Sequence, residues 1–187
     1  MRTTWTVLMV IVCMTIQGCN KSQKVPLETK SSPKMKYDIV DRNAFTVMGI
    51  LTRVKPEEET SEKYAEIWKK FENYTDQIRP LSVGWRCYGI DFPTKKEKVF
   101  DYLAGMAVQS DVVVPDPNLV TREVPAARYA IFKCPYQEIG QTYQEIFSNW
   151  LPNSRYKIDA SACSFEQYSL RDREDRPVSI HIPIKNK

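Results

Sequence analysis

Glu166 is the side chain in this sequence whose setting most invites chemistry. It lies in Phe165-Glu166-Gln167-Tyr168, and the spacing predicts a strand over Ala162–Leu170. Side chains two apart on a strand share a face. Glu166 therefore stands beside Tyr168, with Ala162, Ser164 and Leu170 above and below, while Cys163 and Phe165 point the other way. A carboxylate in such company is either solvated or held in a pocket. In a pocket it needs a charged or hydrogen-bonding partner, or it gives up its charge. A ligand cation is one such partner. His181 is the only histidine, which leaves a zinc site or a Ser-His-Asp triad without its parts. No metal or cofactor is expected.

To position Glu166, the chain reads as two like halves. Residues 37–54 form a strand broken near Asn43. Ser61–Ile78 is a helix with Tyr64, Ile67, Trp68, Phe71 and Ile78 on one stripe, ended by Pro80. Val83–Phe92 and Glu97–Gln109 are strands, and Phe100, Tyr102, Ala104, Met106 and Val108 share a face of the second. The order then recurs. Leu119–Cys134 is a strand bent at Pro125, and Tyr136–Trp150 a helix with the stripe Ile139, Tyr143, Ile146, Phe147 and Trp150. After Ala162–Leu170 comes Val178–Ile184, which turns Val178, Ile180, Ile182 and Ile184 inward and Ser179, His181 and Lys185 to the surface. Pro183 places this last strand at an edge or at the end of its pairing. Val40-Asp41-Arg42 matches Val120-Thr121-Arg122 about 80 residues on, and Cys87-Tyr88-Gly89-Ile90 takes the slot of Phe165-Glu166-Gln167-Tyr168. The predicted fold is α+β: two pseudo-twofold strand-helix-strand-strand units, about 37–110 and 119–185, sharing an antiparallel sheet. With one apolar sheet face each, the units share a core, and a central ligand groove walled by the two helices lies between them.

The first 36 residues have a different character. Arg2 precedes an apolar run from Trp5 to Ile16, too short for a permanent bilayer span and suited to an export signal over 1–18. Ile16-Gln17-Gly18-Cys19 resembles the lipobox of bacterial lipoproteins. The resemblance implies cleavage after Gly18 and a diacylglycerol on the Cys19 thiol, a firm membrane attachment. Asn20, where an Asp would stand in the retained kind, resembles lipoproteins sorted to the outer membrane in cells with two membranes. The domain would then sit in the cell envelope, outside the cytoplasm. Residues 19–36 read as a flexible tether that carries five lysines against Glu28. The chain's net charge of +4 is thus concentrated there, and residues 37–187 come out near −1. That balance argues against a nucleic-acid partner. With Cys13 in the signal and Cys19 taken by the lipid, Cys87, Cys134 and Cys163 remain, enough for at most one internal disulfide.

Residues 37–185 resemble the GyrI-like small-molecule-binding domain, also found as the effector-binding half of AraC-type and MerR-type regulators. The resemblance is carried by Val47-Met48-Gly49, Ile67-Trp68, Asp101-Tyr102-Leu103-Ala104-Gly105 and Val124-Pro125-Ala126-Ala127-Arg128-Tyr129-Ala130. It continues through Ile139-Gly140-Gln141-Thr142-Tyr143, Trp150-Leu151-Pro152, Phe165-Glu166-Gln167-Tyr168 and Ile182-Pro183-Ile184. It implies a hydrophobic groove for aromatic, often cationic compounds, with a glutamate at the position of Glu166 meeting the positive charge. Tyr168, Trp68, Phe71, Tyr102, Tyr143 and Trp150 are the candidate walls, adding cation–π attraction. Arg128 or Arg122 are the cations that could neutralise Glu166 from within. A signal-like segment stands where the regulators carry DNA-binding helices, so their transcriptional role is not carried over, nor is inhibition of a cytoplasmic gyrase.

Three functional readings follow. The first is a membrane-tethered module that captures small aromatic or amphipathic molecules. The second, implied by stand-alone relatives that resemble hydrolases, opens strained electrophilic rings with Glu166 and Tyr168; it ranks behind binding because no nucleophile–base pair is evident. The third is a protein-interaction lipoprotein whose groove is closed.

Overall fold

The computed structural model describes residues 35–58, 60–94, 99–169 and 177–187. The signal segment, Cys19, nearly all of the tether and Leu170 lie outside the described residues.

Nine strands form one antiparallel sheet: β1 Asp38–Arg42, β2 Phe45–Val54, β3 Ser82–Pro93, β4 Phe100–Val108, β5 Val120–Val124, β6 Ala127–Cys134, β7 Tyr156–Ile158, β8 Ser164–Ser169 and β9 Val178–Asn186. Their order is β1-β6-β9-β8-β3-β4-β2-β5, with β7 pairing β9. The sequence β8-β9-β6-β1 on one side of the centre mirrors β3-β4-β2-β5 on the other, so the pseudo-twofold passes between β8 and β3. Cys87–Ile90 and Phe165–Tyr168 face each other there, residue against residue. Helices α1 (Ser61–Glu72) and α2 (Thr75–Ile78) follow β2, and α3 (Ile139–Glu145) follows β6 and runs through a π-helical turn, Ile146–Trp150, into α4 (Leu151–Asn153).

Local chemistry sets these elements. The Thr60 hydroxyl caps α1 by accepting from the Lys63 amide at 3.2 Å, and Lys69 and Lys70 sit in its last turn, where a helix dipole favours cations. Ile67 and Phe71 of α1 and Ile78 of α2 are buried against Met48, Ile50, Tyr102 and Met106 of the sheet. Ile139 and Ile146 pack likewise on Phe132, Ile180 and Ile182. Each such aliphatic or phenyl group contributes about 1.5–3 kcal/mol when fully buried.

Two stretches expected as single broken or bent strands each divide into two strands that part company. β1 and β2 are joined through Asn43 and Ala44, yet stand six places apart in the sheet. In a flat sheet that separation is roughly 29 Å at about 4.8 Å per strand, whereas the connection spans at most about 11 Å. The same holds for β5 and β6 across Pro125-Ala126. The sheet must curl until its ends meet. Ring contacts confirm it: Phe45 of β2 reaches Phe165 of β8 at 5.8 Å, and Tyr129 of β6 reaches Phe165 at 5.2 Å. Curling gives the face away from the helices a second core of Val47, Tyr88, Ile90, Leu103, Tyr129 and Phe165. Both faces of the sheet are therefore apolar, where one was expected.

This second core overturns the placement of His181 at the surface. Its ring is 2% exposed and stacks on Phe165 at 4.3 Å, because the outward face of β9 turns into the curl. Nor is β9 an edge strand, since β6 and β8 flank it. Pro183 lies where the pairing with β8 has ended at His181 and that with β7 has yet to begin at Ile184, so its missing N–H costs no ladder bond on that side. The Arg42 guanidinium lies 3.4 Å from His181 Nδ1. Arginine only donates, so Nδ1 accepts and the proton sits on Nε2. Burial first, then Arg42 and Arg86, hold the imidazole down to about 3, and it is neutral. Its Nε2 and the Tyr129 hydroxyl are both buried without a hydrogen-bond partner among the described residues.

An unpartnered buried hydroxyl contributes nothing that its removal would forfeit. Tyr129→Phe is expected to leave the urea unfolding midpoint unchanged or raise it, while Phe165→Ala lowers stability by about 3–5 kcal/mol. A loss above about 1 kcal/mol in Tyr129→Phe would show that the hydroxyl has a partner.

Candidate ligand site at the seam of the two halves

The helix-bearing face of the central strand pair carries Cys87, Gly89 and Asp91 on β3 and Ser164, Glu166 and Tyr168 on β8, with Gly89 opposite Glu166 and Asp91 opposite Ser164. Tyr168 packs against both helix-side clusters, which makes it the seam between the halves. Its ring meets Trp68 of α1 at 5.1 Å and Tyr136, in the turn before α3, at 6.3 Å. Glu166 sits next to it, 6% exposed.

The carboxyl is held by one strong contact. The Tyr143 hydroxyl of α3 donates to Glu166 Oε1 at 2.5 Å. On the other flank, Gly89 makes the room: a Cβ there would collide with the Tyr102 hydroxyl and fall 2.8 Å from Glu166 Oε2. Tyr102 is fixed in turn by the Trp68 indole N–H, which donates to its hydroxyl at 3.0 Å, and by Tyr64, edge-on at 4.9 Å. Each residue is thus oriented by an aromatic neighbour from a different element.

Electrostatics follow from burial. Removal from water pushes the Glu166 carboxyl up to about 7, and the hydrogen bond from Tyr143 offsets part of that rise. Burial, then the nearby Glu166 charge, push the phenols of Tyr102, Tyr143 and Tyr168 well above their usual range, and Tyr136 is raised for the same two reasons. The site is an acidic group near half-ionisation among neutral phenols. Among the described residues, no group of three or more His, Cys, Asp or Glu converges as a metal site would require.

Of the residues singled out from sequence, Glu166, Tyr168, Tyr102, Trp68 and Tyr143 come together here. Phe71 does not reach the carboxyl; it is 2% exposed and supports Trp68 from the core side at 5.7 Å. Trp150 packs instead with Phe132 at 4.9 Å and Tyr37 at 5.0 Å. The π-helical turn inserts an extra residue per turn and changes which side chains face inward, and it leaves Phe147 46% exposed rather than on the buried stripe. Neither proposed internal cation serves Glu166. Arg128 is an exposed bidentate partner of Asp41, at 2.7 and 2.9 Å, and Arg122 is exposed on the distant edge strand β5. Cys87, Cys134 and Cys163 are all free and buried, and burial pushes the Cys87 and Cys163 thiols up to about 12. Sequence reasoning missed Tyr136 and Gly89. Tyr136 stood at the start of a predicted helix and off its stripe, and Gly89 carries a signal only once its cross-strand partner is known.

The sequence model of the GyrI-like small molecule binding domain matches residues 35–185. Among solved structures, SAV2435 bound to tetraphenylphosphonium is 15% identical with a TM-score of 0.64, covering 81% of this chain and 94% of that one. The C-terminal domain of EcmrR is 16% identical, TM-score 0.57, covering 83% and 100%. An integron cassette protein from the mobile metagenome of Vibrio cholerae is 21% identical, TM-score 0.56, covering 82% and 100%. At these identities the likeness is one of fold. No curated protein sequence matches the chain.

Because the Glu166 carboxyl titrates near 7 when folded and near its ordinary value when unfolded, the folded state binds the proton more tightly between those two values. Its contribution is complete below about pH 4.3 and is lost as pH rises through about 7. Glu166→Gln lacks this loss. It is expected to match the parent chain near pH 4 and to exceed it by about 3 kcal/mol at pH 8, read from urea unfolding at both values. A variant no more stable at pH 8 than at pH 4, relative to the parent, contradicts a raised carboxyl.

Proposed function

The chain belongs to the GyrI-like small-molecule-binding domain family, and we propose that its groove captures aromatic or amphipathic cationic compounds, with Glu166 as their counter-charge. The observation that carries this reading is a buried carboxyl whose hydrogen-bonding partner is a neutral phenol, Tyr143. A buried carboxylate without a full counter-charge is costly, and a bound cation relieves that cost where a neutral isostere does not. Tyr168, Tyr102 and Trp68 present aromatic surface beside it, and each cation–π contact contributes about 0.5–2 kcal/mol. One neighbour in fold is bound to tetraphenylphosphonium, a ligand of this class. For location, Ile16-Gln17-Gly18-Cys19 supports a lipid anchor on Cys19 that holds the domain in the cell envelope, at the outer membrane of a two-membrane cell.

A hydrolytic reading draws on the same carboxyl, since a group titrating near neutrality suits general-base catalysis. Product formation that disappears in Glu166→Gln would bring it forward.

Thermal shifts of the purified full chain against aromatic cations and their neutral isosteres test the binding reading. A cation at 100 times its Kd is expected to add about 2.7 kcal/mol of stability, and Glu166→Gln to lose the preference for cations. Below pH 7 the cation's affinity should fall by up to about tenfold per unit as the carboxyl protonates. Shifts of equal size for cations and isosteres would remove Glu166 from the role. The anchor is tested by metabolic labelling with a radioactive fatty acid, with Cys19→Ala expected to abolish the label and to leave the signal uncut.

A further inference from the structure

Beside the Glu166 site, on the helix-bearing face of the sheet, lies a cavity of about 410 Å³, within the usual size range of small-ligand pockets. Its walls are largely apolar, with Phe100, Phe147, Ile158 and Ile182 from four different elements, and with Asp91 and Ser164 where it meets the sheet. Glu166 and Tyr143 do not line the cavity, but the two places are neighbours on the same face of the sheet. Ser164 is two residues from Glu166 on the same face of β8, about 7 Å along the strand. Ile182 lies two residues along β9, on the same face, from Ile180, the cross-strand partner of Glu166. An aromatic pair joins them as well: Phe147 stacks on Tyr143, nearly parallel at 5° and 6.1 Å, and Tyr143 holds the carboxyl. Phe147 is 46% exposed, so its ring presents apolar surface on the cavity wall.

The geometry points to a head-and-tail ligand: an elongated amphipathic monocation whose charged head lies at Glu166 and whose apolar tail fills the cavity at Phe147 and Phe100. This inference rests on the binding reading and extends it, because a compact aromatic cation uses the Glu166 end alone. The tail subsite sets preference by length rather than by charge. Asp91 stays at the floor of the cavity, where the Ser164 hydroxyl donates to its Oδ2 at 3.3 Å.

The test is calorimetric titration of the full chain with n-alkyltrimethylammonium ions from butyl to decyl, each below its micelle concentration. Tail burial is expected to raise affinity about two- to fourfold per methylene until the cavity is full. Ala160 is an exposed residue on the cavity wall, so Ala160→Trp should fill the space without touching the core. It is expected to flatten the climb and leave the butyl compound unchanged, with Phe147→Ala reducing the slope from the opposite wall. Glu166→Gln is expected to weaken every member by the same factor and keep the slope. A series that binds with no dependence on length, or with a slope untouched by Ala160→Trp, overturns the tail subsite and leaves the binding reading standing. A larger loss in Asp91→Asn than in Glu166→Gln places the head at the wrong end and overturns it too. If no member binds and compact aromatic cations also fail, both readings fall together.

Discussion

Three residues of backbone travel join strands that the sheet order places six positions apart, and the architecture answers to that constraint. Each half lends its leading strand to the far edge of the other: β1 pairs β6, and β5 pairs β2. Such an exchange is possible only in a sheet curled until its edges meet. The curl encloses Phe165, Tyr129, Tyr88 and Val47 on its inner face and turns its outer face to the helices. On a surface that bends away from them, α1 and α3 each follow their own half. Between them the strand pair β3–β8 carries only what its own side chains and the facing rings supply. The seam that holds Glu166 is a consequence of closing the sheet behind it.

That origin explains why the chemistry gathers on β8. Its residues alternate between the two environments the curl creates: Phe165 is fully buried in the inner core and Glu166 is buried in the seam. A single strand thus anchors the closed core and presents the one buried carboxyl among the described residues. Arg42 belongs to the same arrangement from the inner side. Its guanidinium lies 5.3 Å from both the Phe45 and Phe165 rings and donates to Gln167, the residue between Glu166 and Tyr168, at 3.3 Å.

Period and alternation made much of this legible from sequence. The strand-helix-strand-strand order, the apolar stripe of α1 and the shared face of Glu166 and Tyr168 are local properties, and local spacing reports them. Global closure left no such mark. Nothing within Tyr37–Val54 says that its two parts lie on opposite sides of the molecule, and His181 was expected at the surface because the inner core that buries it is made by distant strands. Phe147 and Trp150 were misdirected by a helical period that the π turn interrupts. Gly89 shows the limit most plainly: its purpose is the absence of a side chain opposite Glu166, and absence has a meaning only when the register is known.

The choice of phenols around Glu166 is the feature on which the proposed binding role of that carboxyl rests. An arginine would hold the carboxylate ionised and cancel its charge, as Arg128 does for Asp41 at the surface. A cation arriving there would have to displace a partner of equal charge, and the exchange would gain little. Tyrosine donates one hydrogen bond and carries no charge, so it steadies the carboxyl in either protonation state and leaves the electrostatic deficit in place. The deficit is visible in a carboxyl that titrates near 7, and in phenols whose own ionisation the same carboxyl opposes. Folding thus retains an unfavourable contribution that a ligand of the right charge can relieve. By this argument the stability lost on ionising Glu166 and the selectivity expected for cations are the same free energy, read once without ligand and once with it.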